Sequence, residues 1–156
     1  ELWPDGLYYL LQRMHKKFNL PIYITENRVP DPHDLHRGHF ILDHLRRVWQ
    51  AIRTGVDVRG YYHWSLVDNF EWLEAYNPDF VFGLYAVDFE TQVRTPRRSA
   101  QLYREIALSN TISSQMARQF APESLDALLP GRASLLQVTR HALMRGEDET
   151  EIHMHD

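Results

Sequence analysis

The chain has 156 residues, of which 44% are hydrophobic and 24% are charged, and its formal net charge is −4. A negative balance offers no long-range attraction for nucleic acid or for an anionic membrane surface, so we expect neither as a partner. The absence of cysteine excludes a disulfide framework and thiolate chemistry.

The first predicted elements are a helix and a strand. Helical spacing of Leu7, Leu10, Leu11, Met14 and Phe18 predicts an amphipathic helix over roughly 5–18. The stretch "PIYITEN" then predicts a strand over 22–26 that ends on Glu26. An ionised carboxylate is costly to bury. Glu26 therefore either marks where the chain reaches water or lies at the strand end because chemistry happens there.

The next segments continue the alternation of helices and strands. We predict a loop over 28–35, a helix over 36–54 closed by Gly55, a strand over 58–66, a loop over 67–79, a strand-like run over 82–89 and a helix opened by Thr95 and Pro96. Alternation of this kind favours parallel pairing in an α/β fold. Two strand–helix units are too few for a (β/α)₈ barrel, which takes about 250 residues.

Residues 109–156 differ in composition from residues 1–108, and we predict a boundary between these two parts. The second part has weak helical periodicity and an acidic end, which predicts one or two marginal helices and a disordered tip carrying His153 and His155. The chain starts with Glu1 rather than Met. We expect that its true beginning lies upstream.

The segment "HWSLVDNFEWLEAY", residues 63–76, combines aromatic rings with acids and an amide. It could be an aromatic cluster that caps a core. It is also suited to a sugar, whose C–H faces stack on indole rings and whose hydroxyls bind carboxylates and amides. Because the segment follows a strand, it would share a rim with Glu26.

Three stretches resemble one known family: "YITEN", "GYYHWSLVDNFEW" and "FGLYAVDFETQVRTPRRSAQLYREI". They are similar, in order and spacing, to the carboxyl-terminal portion of glycoside hydrolase family 1, the family of retaining β-glucosidases and β-galactosidases. The resemblance runs from about Trp3 to about Ile106. It implies that the chain forms about the last two βα units of a (β/α)₈ TIM barrel.

The resemblance also implies roles for five residues. Glu26 matches the catalytic nucleophile, and Trp64 matches the tryptophan on which the sugar stacks. Glu71 matches the carboxylate that binds the outer sugar hydroxyls, Trp72 the indole beside it, and Phe82 a phenylalanine of the pocket wall. The implied reaction is hydrolysis of β-O-glycosidic bonds with retention, through a covalent intermediate on Glu26.

The chain departs from the family pattern at several positions. The acid/base of the family belongs to an Asn-Glu-Pro motif, and no such motif occurs here. We therefore predict that the chain alone is inactive and that the amino-terminal part of the barrel comes from a longer chain or a partner. Arg28 and Ala75 stand where the family usually has glycine, and the stretch before Phe82 is about two residues longer than usual. Glu71 favours a neutral sugar, because a carboxylate repels a phosphate group.

Other interpretations remain open. A non-catalytic carbohydrate-binding relative or a thioglycosidase would fit the same residues, and the segment upstream of Glu1 would decide. The spacing of His33, His36 and His39 could suggest a metal site, but we interpret it as a polar helix start and expect neither metal nor cofactor. We expect His63 to pack rather than to catalyse. With no apolar run near 20 residues and no signal-like start, we expect a cytoplasmic location without membrane contact.

Overall fold

A computed structural model describes residues 2–122, residue 125 and the backbone of residues 151–153. In chain order the elements are α1 (Asp5–Phe18), β1 (Ile22–Ile24), α2 (Arg37–Arg53), β2 (Val58–Tyr61), β3 (Tyr85–Val87), β4 (Arg94–Pro96), α3 (Arg98–Ser109), β5 (Thr111–Ser113), α4 (Ser114–Phe120) and β6 (Glu151–His153).

Strands β1 and β2 pair in parallel, with Ile22 opposite Val58 and Ile24 opposite Tyr61, and α2 connects them. The predicted α/β unit with a parallel crossover is therefore confirmed. Both strands are shorter than predicted, since β1 ends at Ile24 rather than at residue 26 and β2 at Tyr61 rather than at residue 66. Beyond these points the backbone bonds to loops: Trp64 N, for example, donates to the Asn27 carbonyl at 3.1 Å.

The first two helices follow the predicted pattern closely. Helix α1 spans the predicted range, and α2 is one residue shorter at each end than predicted. Gly55 follows α2 with a φ of +95°, a left-handed conformation that suits glycine. One face of α1 packs on α2, so the two helices cover the same side of the β1–β2 pair.

The predictions for residues 82–96 need correction. The strand-like run 82–89 contains only the short strand β3, which pairs antiparallel with β4 to form a hairpin. Thr95 and Pro96 belong to β4, so they do not open α3, which begins at Arg98. Pairing of Ala86 with Thr95 holds this segment extended, and this contact outweighs the helix-start signal of Pro96.

The core continues past the predicted boundary at residues 108 and 109. Ile112, Met116 and Ala117 are buried in the same apolar cluster as Leu42 of α2 and Leu102 of α3. Strand β5 pairs antiparallel with β6, so part of the tip that we predicted to be disordered is a strand. Helix α4 is one helix within the part, 109–156, that we predicted to hold one or two marginal helices. Residues 126–150 of that part, and His155, lie outside the described residues. In the part of the chain that the structure describes, no helix combines the length and apolarity needed to cross a bilayer.

Candidate active site

One cavity of about 620 Å³ lies at the carboxyl ends of β1 and β2. Its lining residues are acidic, aromatic and apolar side chains with one arginine: Glu26, Arg28, Trp64, Phe70, Glu71, Trp72, Leu73, Glu74, Phe80 and Phe82. Glu26 follows the end of β1 by two residues, and Trp64 follows the end of β2 by three. Parallel pairing of the two strands thus brings both side chains to one edge.

A second cavity, of about 150 Å³, lies between α2, β2 and α3. Apolar side chains such as Leu45, Val48 and Ile106 dominate its lining, and no carboxylate is among the lining residues that the structure describes. The larger cavity is therefore the candidate for chemistry.

The residue after Glu26 is fixed by hydrogen bonds to the neighbouring strand. The Tyr61 hydroxyl donates to Asn27 Oδ1 at 2.8 Å, and Trp64 N donates to the Asn27 carbonyl at 3.1 Å. Burial raises the pKa of Tyr61, so its hydroxyl stays protonated and remains a donor. These bonds fix the backbone on which the exposed Glu26 side chain stands.

Glu71 joins three segments of the site. Its Oε2 accepts from Arg28 Nη1 at 2.9 Å, and its Oε1 accepts from Trp64 Nε1 at 3.4 Å. The guanidinium carbon of Arg28 lies 4.6 Å from the ring centroid of Phe82. The predicted indole, carboxylate and phenylalanine are therefore in one contact network, with Arg28 between them.

The loop that carries Trp72 forms the outer rim of the cavity. Glu71 and Ala75 exchange two backbone hydrogen bonds, of 2.9 and 2.6 Å, and Ala75 has a φ of +55° in the left-handed region. Between them Trp72 is 93% exposed and Leu73 is 97% exposed. Trp72 is therefore available to a ligand at the mouth, whereas Trp64 is half-buried deeper in the site.

An ion pair supports the wall that Phe82 forms. Asp68 Oδ1 accepts from Gly83 N at 2.9 Å and from Arg97 Nη1 at 2.9 Å, and Asp68 Oδ2 accepts from Arg97 Nη2 at 2.8 Å. Ser65 N also donates to the Phe82 carbonyl at 3.2 Å. Hydrogen bonds at the Phe82 carbonyl and at the N–H of the next residue, Gly83, thus link Phe82 to the segment that carries Trp64.

The loop between β1 and α2 is fixed by two aspartates. Asp31 accepts from the backbone N–H groups of Leu35, His36 and Arg37. Burial opposes ionisation of Asp31, but these N–H groups and the Arg37 charge together lower its pKa. Asp34 pairs with the buried Arg37 at 2.5 Å and accepts from Ser99 of α3.

The histidines lie apart from the cavity. His33 is exposed, His36 is the N-cap of α2, and His39 contacts Asp43 at 2.7 Å. Within residues 2–122 and the other described positions, no cluster of three or more His, Asp or Glu side chains is arranged to hold a metal ion. His63 is buried, and burial lowers its pKa to about 4 although the Phe82 carbonyl opposes this.

All five residues singled out from the sequence line the larger cavity, while their catalytic and binding roles stay predictions. Arg28 was seen only as a departure from the family pattern, and its place in the site was missed. Its position two residues after Glu26 was the feature of the sequence that could have placed Arg28 at the cavity. Glu74, Phe70 and Phe80 also line the cavity, and all lie in the acid- and aromatic-rich segment or next to it.

A family model and individual relatives both show similarity to one family of glycosidases. The family model for glycosyl hydrolase family 1 matches residues 1–112. Over 116 residues the chain is 41% identical to a β-galactosidase of Sulfolobus acidocaldarius, an alignment that covers 74% of this chain and 23% of the relative. It is 36% identical over 120 residues to β-glucosidase A of Thermotoga maritima, covering 70% of this chain and 26% of the relative.

Solved structures show the same relationship. A hyperthermophilic β-glucosidase from Pyrococcus furiosus superposes with a TM-score of 0.74 at 42% identity, covering 80% of this chain and 26% of that protein. The chain thus spans about a quarter of the length of the relatives it matches. These neighbours are TIM barrels, and this chain is a partial α/β piece of that fold.

Proposed function

This chain belongs to glycosyl hydrolase family 1, and we propose that it provides the nucleophile and part of the sugar-binding wall of a retaining β-glycosidase. The relatives are β-galactosidases and β-glucosidases, which supports glycoside hydrolysis in general. The proposed substrate is a β-O-glycoside of a neutral sugar. The proposed place of the chain is the carboxyl-terminal part of the barrel, about its last two βα units.

One observation carries this proposal: Glu26, Trp64 and Glu71 line a single cavity at the carboxyl ends of two parallel strands. An exposed carboxylate can attack an anomeric carbon, an indole can stack on the C–H face of the sugar, and a second carboxylate can accept its hydroxyls. In this arrangement Glu26 is the nucleophile, and Trp64 and Glu71 orient the ring above it.

A retaining mechanism needs a second carboxyl group about 5–5.5 Å from the nucleophile. That group first protonates the leaving oxygen and then activates water. Glu71 is a poor candidate, because its pairing with the Arg28 guanidinium is the arrangement of a charged acceptor rather than a proton donor. We propose that the acid/base lies on the part of the barrel that a longer chain or a partner supplies.

A neutral sugar fits the charges of the cavity better than an anionic one. The carboxylates of Glu26, Glu71 and Glu74 line it, and only Arg28 among the described lining residues is a cation. A phosphate dianion on the sugar would enter an excess of negative charge. We therefore expect glucosides or galactosides to be preferred over their 6-phosphate esters.

The test uses the complete barrel, meaning residues 1–156 together with the polypeptide that supplies the other strands. A chimera in which residues 1–112 replace the matched quarter of the Sulfolobus acidocaldarius β-galactosidase would provide one. Proton NMR of the first product should show the β-anomer, and a 2-deoxy-2-fluoro glycoside should label Glu26 in a peptide digest. An α-anomeric first product, or labelling of another residue, would refute the mechanism. Sugar binding without turnover would instead indicate a non-catalytic relative.

A further inference from the structure

The Glu71 carboxylate is engaged on both of its oxygens by different parts of the chain. Arg28 Nη1 donates to Oε2 at 2.9 Å, and Trp64 Nε1 donates to Oε1 at 3.4 Å. The Glu71 side chain is 14% exposed and the Arg28 side chain 43%, so the carboxylate is largely shielded while the guanidinium remains open to water. The contact joins residues 43 positions apart in the sequence.

Arg28 is itself held in place by the cavity wall. Its guanidinium carbon lies 4.6 Å from the ring centroid of Phe82, within the range of a cation–π contact. Phe82 is buried, and its carbonyl accepts from Ser65 N at 3.2 Å. The guanidinium therefore has a fixed wall on one side and the Glu71 carboxylate on another.

The pair presents acceptors and donors side by side. Arg28 keeps 43% of its side chain exposed, and its Nε and Nη2 have no hydrogen-bond partner among the described residues. Glu71 offers the remaining lone pairs of its two oxygens. A sugar hydroxyl both donates and accepts, so adjacent carboxylate and guanidinium groups match two neighbouring hydroxyls.

Without Arg28 the carboxylates of the cavity would have no cation among the described lining residues. Glu26, Glu71 and Glu74 all line it, and like charges in a partly shielded space repel one another. Glu71 would then have only the long Trp64 contact to fix its rotamer. A carboxylate that is free to turn loses part of its hydrogen bonding to a ligand, because the ligand must pay the entropy of ordering it.

We propose that Arg28 is a positioning residue for the glycosidase site. It holds Glu71 against Trp64, and so sets the affinity for the outer sugar hydroxyls without taking part in bond cleavage. This inference rests on the proposed function.

The test compares variants of the complete barrel. Arg28→Met keeps an apolar stem on Phe82 but removes every donor, and Arg28→Lys keeps the charge but loses the planar fork. For an aryl β-glucoside we expect Arg28→Met to raise KM about tenfold, as for loss of one charge-assisted hydrogen bond, with kcat changed less than about threefold. Arg28→Lys should recover part of the loss.

A double-mutant cycle separates action through Glu71 from a general structural effect. The double variant with R28M and E71Q should have a KM no higher than that of E71Q alone, because Arg28 acts through the carboxylate. Arg59→Met is the matched control, since Arg59 pairs with Asp57 at an exposed site and does not line the cavity. It should leave KM and kcat unchanged, and thermal unfolding of every variant reports folding. If R28M fails to fold, Arg28→Gln replaces it in the cycle.

The outcomes distinguish this inference from the proposed function. An active wild-type barrel with an unchanged KM in R28M overturns the positioning role and leaves the glycosidase assignment intact. Additive losses in R28M and E71Q, or a fall in kcat at constant KM, also overturn it. A wild-type barrel that neither hydrolyses the glucoside nor binds gluconolactone in calorimetry overturns both.

Discussion

Arg97 and Asp68 form a two-pronged ion pair behind the wall of the cavity, with Nη1 to Oδ1 at 2.9 Å and Nη2 to Oδ2 at 2.8 Å. Arg97 precedes α3, and Asp68 lies in the segment that follows Trp64. Arg97 Nη1 also donates to the Gly83 carbonyl at 2.6 Å. The pair therefore connects the base of α3 to both segments that line the larger cavity.

We predict that Arg97→Met destabilises the 156-residue chain by about 3 kcal/mol, because it leaves the Asp68 carboxylate buried without its cation. The two side chains are 11% and 4% exposed, so water compensates little. The measurement is the free energy of unfolding from urea titration, followed by tryptophan fluorescence.

The matched control for this prediction is Arg59→Met. Arg59 also binds both carboxylate oxygens of its partner, with Nε to Asp57 Oδ1 at 3.0 Å and Nη2 to Oδ2 at 2.9 Å, but these side chains are 55% and 45% exposed. We expect no measurable loss of stability there, because exposed pairs contribute little. Equal effects of the two substitutions would show that burial of the Arg97 pair is unimportant.

Glu26→Gln should abolish turnover in the complete barrel while leaving sugar binding in place. Glutamine keeps the shape of the side chain but cannot form the glycosyl ester, so we expect kcat for an aryl β-glucoside to fall at least about 10³-fold. Binding of gluconolactone in calorimetry should change much less.

Glu90→Gln serves as the control for the loss of a carboxylate. Glu90 is exposed in the turn between β3 and β4 and does not line the cavity. Its replacement should leave kcat within about twofold of the wild type. A Glu26→Gln protein that retains a tenth of the wild-type kcat would rule out Glu26 as the nucleophile.

Local sequence patterns were sufficient for the elements whose contacts are local. The bounds of α1 and α2 followed from apolar residues at helical spacing, and the parallel pairing of β1 and β2 followed from the alternation of elements. The five predicted site residues share a cavity because the carboxyl ends of β1 and β2, and the segments that follow them, lie side by side. These features depend on periodicity and topology, which a sequence displays directly.

Features that depend on distant contacts were missed. Strand β4 reads as a turn and a helix start, and only its pairing with β3 makes it a strand. Packing of Ile112 and Met116 against α2 and α3 was hidden by the weak periodicity after residue 108. The position of Arg28 two residues after Glu26 could have placed it at the cavity, but no local pattern marks its contact with Glu71, 43 residues later.

The stability of the chain should fall as the pH is lowered from about 6.5 to about 4, because His63 is buried. Burial lowers the pKa of His63 to about 4 from its ordinary value of 6.5. Between these values the unfolded chain binds more protons than the folded chain, so protonation favours unfolding. The contribution is fully present above pH 6.5, and its loss below pH 4 is at most about 3 kcal/mol.

Urea titrations at pH 7.0, 5.5 and 4.5 check this prediction. His63→Gln removes the titrating group but keeps an amide that can donate to the Phe82 carbonyl, so its stability should depend less on pH than that of the wild type. Burial also lowers the pKa of His44, so His44 adds to the change of unfolding free energy with pH in the wild type and in the His63→Gln variant alike. His33→Gln, at an exposed position, should keep the wild-type slope. A slope unaltered by His63→Gln would show that His63 is not the group responsible.

The 156-residue chain by itself should not hydrolyse a β-glucoside, and this expectation is strongest for an alkyl β-glucoside. It carries one carboxylate placed for attack, Glu26, but the second carboxyl group of a retaining mechanism needs a proton to give, and Glu71 is committed to its ion pair with Arg28. Protonation of the leaving group is what an alkyl glycoside requires most, whereas an activated aryl leaving group needs it least. We therefore expect adding the polypeptide that supplies the other strands to restore turnover of both kinds of glycoside, and turnover of an alkyl β-glucoside by the purified chain alone would place a working acid/base within residues 1–156.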